Sequence, residues 1–146
     1  MNDIQVIAVQ SRLKALDALN LLAASLETVV PYDPLHSYTP SEREPYDALS
    51  DRFMRSVEIC IRFFRSYERY MFAENSDTLR NLLLRMEKLT LVDSTLQWVE
   101  MRDLRNRIVH DYLPEKISEM YSLILKEFGP ALMEVAEKIK LIDFNS

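Results

Sequence analysis

Glycine is nearly missing: the 146-residue chain carries one, Gly129. A dinucleotide-binding fingerprint and a P-loop each need several glycines, so both are excluded. Tight hairpin turns also lean on glycine, which argues against an all-β chain. Cysteine is equally scarce. With Cys60 alone, no intramolecular disulfide can form, and a reducing compartment is the expectation. No run reaches the ~18 apolar residues that cross a bilayer, and the start lacks the basic segment and small-residue cleavage site of a signal peptide. The expected location is cytoplasmic. Basic charge is in deficit, with 18 Lys and Arg against 23 Asp and Glu and a net charge of −5. That opposes a broad, non-specific grip on nucleic acid, which depends on neutralising phosphates, but leaves room for a local basic groove. The two histidines, His36 and His110, lie far apart, and no HExxH or CxxC spacing occurs. No metal or cofactor is called for.

Hydrophobic residues at 48% and charged ones at 28% are ordinary globular usage. Prolines divide the chain. Pro31, Pro34, Pro40 and Pro45 crowd residues 31–45, which read as a loop. Residues 1–30 and 46–113 hold neither glycine nor proline, and apolar spacing there is helical. A first helix over 4–30 places Val6, Val9, Leu13, Leu16, Ala23, Leu26 and Val30 on one stripe. A second over 46–74 repeats the pattern with Leu49, Phe53, Val57, Ile61, Phe64, Tyr67 and Met71. Ser76 is the expected N-cap of a short third helix. Ser94-Thr95-Leu96-Gln97 has capping-box form and opens a fourth, running to residue 111. Pro114 opens a fifth, which Gly129-Pro130 should kink or split. The expected fold class is all-α: an antiparallel bundle of about five helices in one domain over 1–146. Its first two helices are long enough to leave apolar faces over, which points to a homodimer.

Chemistry concentrates in Glu100–Tyr112. At 100° per residue, Tyr112 and Trp98 fall about 20° to either side of Arg105. Arg105 therefore sits in the middle of the apolar face. A guanidinium there is costly unless it is paired or opens on a cleft. The plain structural account is an ion pair with Glu58 or Asp51 on the second helix. His110 taken alone is a favourable charge at a helix C-terminus, and Tyr112 alone is boundary filling. On the second helix Arg55, Arg62, Arg65 and Arg69 share one arc, with Glu58 among them. They form either a solvated, salt-bridged face or a strip that, with Arg102, tracks an RNA backbone beside Tyr67 and Tyr70.

Arg105-Asn106-Arg107-Ile108-Val109-His110-Asp111-Tyr112 is similar to the Arg-x4-His-x-Tyr signature of HEPN-domain proteins. More narrowly, it resembles the HepT toxins paired with a minimal nucleotidyltransferase antitoxin of the MntA kind. Leu91-Val92-Asp93-Ser94 and Trp98 resemble that family's lead-in to the motif helix. The resemblance implies a HEPN-like bundle and a toxin acting as a metal-independent endoribonuclease at a homodimer cleft. In that scheme Arg105 holds the phosphate, His110 moves the proton, and Asn106 orients the phosphate or the imidazole. The histidine is the side chain that titrates near neutral pH. The resemblance further implies that the cognate antitoxin neutralises the toxin by AMPylation of Tyr112, laying charge and bulk over the cleft. The alternative is a non-catalytic helical subunit that binds a nucleotidyltransferase and regulates it or presents substrate to it.

Overall fold

The computed structural model describes residues 2–108 and 113–145. It is built from helices: α1 (Asp3–Thr28), α2 (Pro40–Phe72), α3 (Leu79–Lys88), α4 (Thr95–Ile108), α5 (Pro114–Leu123) and α6 (Gly129–Lys140), with a π-helical turn at Ile124–Phe128 joining the last two. Because α5, the turn and α6 run on as one interrupted rod, the bundle has the five expected helices. None is long and apolar enough to cross a membrane among the described residues.

The two longest helices lie antiparallel, as their contacts show. Ser11 meets Ser66 at 3.1 Å, the Ser56 hydroxyl donates to the Ala18 carbonyl at 3.3 Å, and Arg52 donates to the Leu21 carbonyl at 3.1 Å. The face that α1 buries is not the expected stripe. Ala8, Ala15, Ala18, Leu19, Leu22 and Ser25 are buried, whereas Leu13 is 62% and Val30 66% exposed. The helix carries apolar residues nearly all round, so periodicity does not choose a face. Close approach does: alanine and serine let α2 come near enough to bond the α1 backbone. On α2 the expected stripe holds, with Leu49, Phe53, Val57, Phe64 and Tyr67 buried and only Met71 left largely exposed.

The proline-rich segment is shorter than expected, because α2 begins at Pro40. Thr39 and Glu42 form a capping box: the Glu42 amide donates to Thr39 Oγ1 at 3.2 Å and the Thr39 amide to Glu42 Oε1 at 3.0 Å. Pro40 occupies the first turn, where its missing N–H costs nothing. Pro45 lies inside the helix and forfeits one bond. What remains of the loop is held by rings. Tyr32 stacks on Tyr38 at 4.6 Å and meets Tyr46 and Tyr121 at 5.2 and 5.3 Å. The Tyr46 hydroxyl donates to the Val30 carbonyl at 2.8 Å.

The cap of α3 falls two residues later than expected, at Thr78, whose Oγ1 accepts from the Asn81 amide at 3.1 Å. Ser76 is taken by Glu68, a carboxylate only 1% exposed. Glu68 accepts from the Ser76 amide at 2.7 Å, from the Ser76 hydroxyl and from Arg85 at 3.3 Å. A buried carboxylate survives only when its lone pairs are matched in this way. The result is a fixed turn that sets the start of α3 beside α2. Helix α4 is capped as expected, with Ser94 Oγ accepting from the Gln97 amide at 3.1 Å. Its buried residues Trp98, Met101 and Leu104 face the core, and Trp98 packs edge-on against Phe64 at 5.1 Å. The scarcity of glycine shows at two left-handed positions filled by Ala73 (φ 55°) and Thr90 (φ 63°).

Gly129 is where glycine is indispensable. The π turn draws the Gly129 amide onto the Ile124 carbonyl, and a Cβ there would lie 2.6 Å from that oxygen and 2.6 Å from Leu26 Cδ2 on α1. The expected interruption therefore takes the form of a π turn just ahead of Gly129-Pro130. Gly129→Ala should lower unfolding free energy by about 1–3 kcal/mol through overpacking, read as a shift in the urea midpoint. An unchanged midpoint would show that α1 and the turn yield freely.

Cys60 is fully buried among apolar side chains, and burial pushes its thiol from 9.0 up to about 12. Desolvation does the same to Tyr46, from 10.0 to about 12. The folded state holds these protons more tightly than the unfolded chain. Their contribution is thus complete below pH 9 and lost as pH climbs toward 12. Thermal melts should show stability declining from pH 9 upward, with a shallower decline in Cys60→Ala than in the parent protein.

Candidate functional site

A cleft of about 230 Å³ opens between α2, α4 and the start of α3, lined by Val57, Glu58, Ile61, Arg62, Arg65, Leu79, Arg102 and Arg105. Its sides come from successive turns of two helices. Glu58, Arg62 and Arg65 are three- and four-residue neighbours on α2, as Arg102 and Arg105 are on α4, so each helix presents its charges to one side. The floor is apolar: Val57 is fully buried, and Ile61 and Leu79 pack against the core.

Four arginines face one carboxylate. Arg62 donates to Glu58 Oε1 at 3.0 Å, and Arg105 approaches Glu58 Oε2 at 3.6 Å. Arg105 points inward as its helix position requires, with its side chain 31% exposed. One of its terminal nitrogens donates to Asn106 Oδ1 at 3.0 Å, while Nε is buried with no hydrogen-bond partner. Among the described residues, no carboxylate forms an ion pair with Arg65 or Arg102, and both side chains are exposed.

The structure thus gathers Arg62, Arg65, Arg102 and Arg105 and leaves the other candidates elsewhere. Arg55 is paired with Asp51 at 3.2 Å and does not line the cleft. Arg69 lines a neighbouring recess with Asp3, Ile4 and Ile7. Asn106 is exposed and committed to Arg105. His110 and Tyr112 lie outside the described residues. Tyr67 is buried and Tyr70 packs on Phe144 at 5.0 Å, so neither ring is free for base stacking. Of the two partners expected for Arg105, Glu58 is the one found, and Asp51 serves Arg55. The apolar floor was not anticipated as part of a site. Its signal was there in Val57 and Ile61, which sit one turn apart beside Glu58. Leu79 gave none, because its place depends on the Glu68-held turn.

Fold and site together define an all-helical protein with a cation-rich cleft. The chain belongs to the family described as nucleotidyltransferase substrate binding protein like, whose model matches residues 13–141. No curated protein and no solved structure matches the chain. Two expectations are corrected by this finding. The chain is not a HepT toxin of the HEPN family, and it is not an endoribonuclease: the family is one of substrate-binding proteins. The physical reason for the misassignment is visible at Arg105. A motif of three fixed positions brings a guanidinium to the inner face of a helix, and the Glu58 pair explains that placement without any catalysis.

Among the described residues Glu58 is the only carboxylate lining the cleft, so Glu58→Gln leaves like charges facing one another. The pair is partly exposed, which limits its worth to about 0.5–1 kcal/mol at low ionic strength. The loss should fade near ~1 M salt, where charges are screened within ~3 Å. Urea unfolding at two salt concentrations measures it. A variant as stable as the parent at low salt would show that the arginines do not depend on Glu58.

Proposed function

We propose that this chain is a non-catalytic helical partner of a nucleotidyltransferase, which it binds and to which it presents substrate. The match of residues 13–141 to the nucleotidyltransferase substrate-binding family carries the reading. The cleft between α2 and α4 supports it, since an open, cation-rich concavity over an apolar floor suits holding a ligand. Its guanidinium groups supply charge and fixed hydrogen-bond donors. They cannot shuttle protons, because arginine stays protonated at all working pH values. Holding rather than transforming is what such a site does. The proposal includes a second copy of the chain. Along α1, Ile7, Leu13 and Leu21 are 51%, 62% and 41% exposed, apolar area that a homodimer would cover.

Co-expression with each nucleotidyltransferase encoded in the same genome, followed by size-exclusion chromatography with light scattering, tests both parts. The expected outcome is co-elution with one of them, and a free chain at twice its 17.2 kDa mass. Absence of any complex overturns the partnership, and a monomeric mass overturns the dimer.

A further inference from the structure

We infer that the α2–α4 cleft is a binding site for a phosphate monoester, with Arg65, Arg102 and Arg105 as its anion-holding side chains and the partly exposed Ile61 and Leu79 as the seat for the ester's carbon body. This deepens the substrate-presenting reading above and rests on it for its biological purpose, though not for its physics.

The charge balance is the first argument. Glu58 bridges Arg62 and Arg105, which neutralises one guanidinium of the four. Arg65 and Arg102 have no carboxylate among the described residues. Like charges held round one concavity repel unless an anion settles among them, and a phosphate monoester brings about −1.5 to −2 charge at neutral pH. Against the net excess of these lining charges, a monoester offsets about twice what a single carboxylate does.

The second argument is donor geometry. Arg105 Nε is shielded from solvent, so an anion in the cleft meets this side chain through its terminal nitrogens, whose contacts with Asn106 and Glu58 leave N–H groups over. Three guanidiniums offering forked donors suit a group with three terminal oxygens, as bidentate arginine–phosphate pairing does generally.

Shape separates a small ester from a nucleic-acid strand. The cleft holds about 230 Å³, less than pockets that enclose a whole drug-sized ligand, so it takes a phosphate with its adjoining carbons and leaves any larger body outside its open mouth. Arg55 is engaged by Asp51, and past Arg65, which lines both, the basic row leads into a recess where Arg69 lies beside Asp3. Strand-binding grooves pair a continuous basic path with aromatic platforms, yet the nearby Tyr67 and Tyr70 are consumed by packing with Phe144. The floor beneath the arginines is aliphatic, suited to a sugar or other small carbon body.

The test titrates the full-length protein with AMP, glucose 6-phosphate, inorganic phosphate, adenosine, a dephosphorylated oligonucleotide and a polyglutamate peptide, read by calorimetry and by melting temperature. Both monoesters should bind, each raising Tm by roughly 3–5 °C at ten times its Kd. Inorganic phosphate should bind more weakly, and adenosine should give no shift. Arg102→Gln and Arg65→Gln, exposed substitutions that leave the core intact, should each weaken AMP by roughly fivefold or more. Arg55→Gln, outside the cleft, should not change it. Equal affinity for inorganic phosphate and the esters would overturn the seat for a carbon body. Tighter binding of the oligonucleotide or the acidic peptide, or AMP binding that Arg65→Gln and Arg102→Gln leave untouched, would overturn the site. The nucleotidyltransferase complex is scored separately on the parent protein. A complex without AMP binding defeats the cleft assignment and leaves the partnership standing, whereas AMP binding without a complex does the reverse.

Discussion

Helix α2 is the constraint to which the rest of the bundle answers. Helices α1, α3, α4 and α6 all pack on it, and its buried row from Leu49 through Phe53, Val57, Phe64 and Tyr67 supplies much of the common core. A helix gripped from several sides has little surface left for water. What it shows there is a row of arginines, and the approach of α4 turns part of that row into the wall of a cleft. Among the described residues Glu58 is the acid of that wall, and it faces one arginine from each helix.

The site therefore follows from packing more than from any catalytic motif. Arg105 is brought inward because Trp98, Met101 and Leu104 on the same helix must be buried, and the phase of the helix carries the guanidinium along. The turn that places Leu79 on the floor depends on Glu68 binding Ser76 and Arg85, some distance from the cleft. A short pattern such as Arg-x4-His records only the first of these circumstances. It is silent on which carboxylate answers the arginine and on which arginines of the next helix arrive beside it. Those details depend on how the two helices pack against each other.

Particular residues show how far pattern reading goes. On α2 and α4 the apolar positions form one clear stripe, and the stripe is what the core uses. On α1 leucines and alanines surround the helix, and the choice fell on the smaller side chains because α2 comes close enough for Ser56 to reach the Ala18 carbonyl. Thr39-Pro40-Ser41-Glu42 carried a capping box in plain view, but four prolines nearby made the segment look like loop. Ser76 had the chemistry of an N-cap, and a buried glutamate eight residues earlier claimed it.

From the chain alone came the helical class, the number of rods, the cap at Ser94, the helix start at Pro114, the interruption near Gly129 and the inward setting of Arg105, because each depends on residues within a turn or two of one another. Tertiary structure decided which face of α1 is buried, which acid meets Arg105, and which of the scattered arginines share a cleft. Those outcomes depend on the distance and rotation between helices far apart in the chain, and no local pattern encodes them.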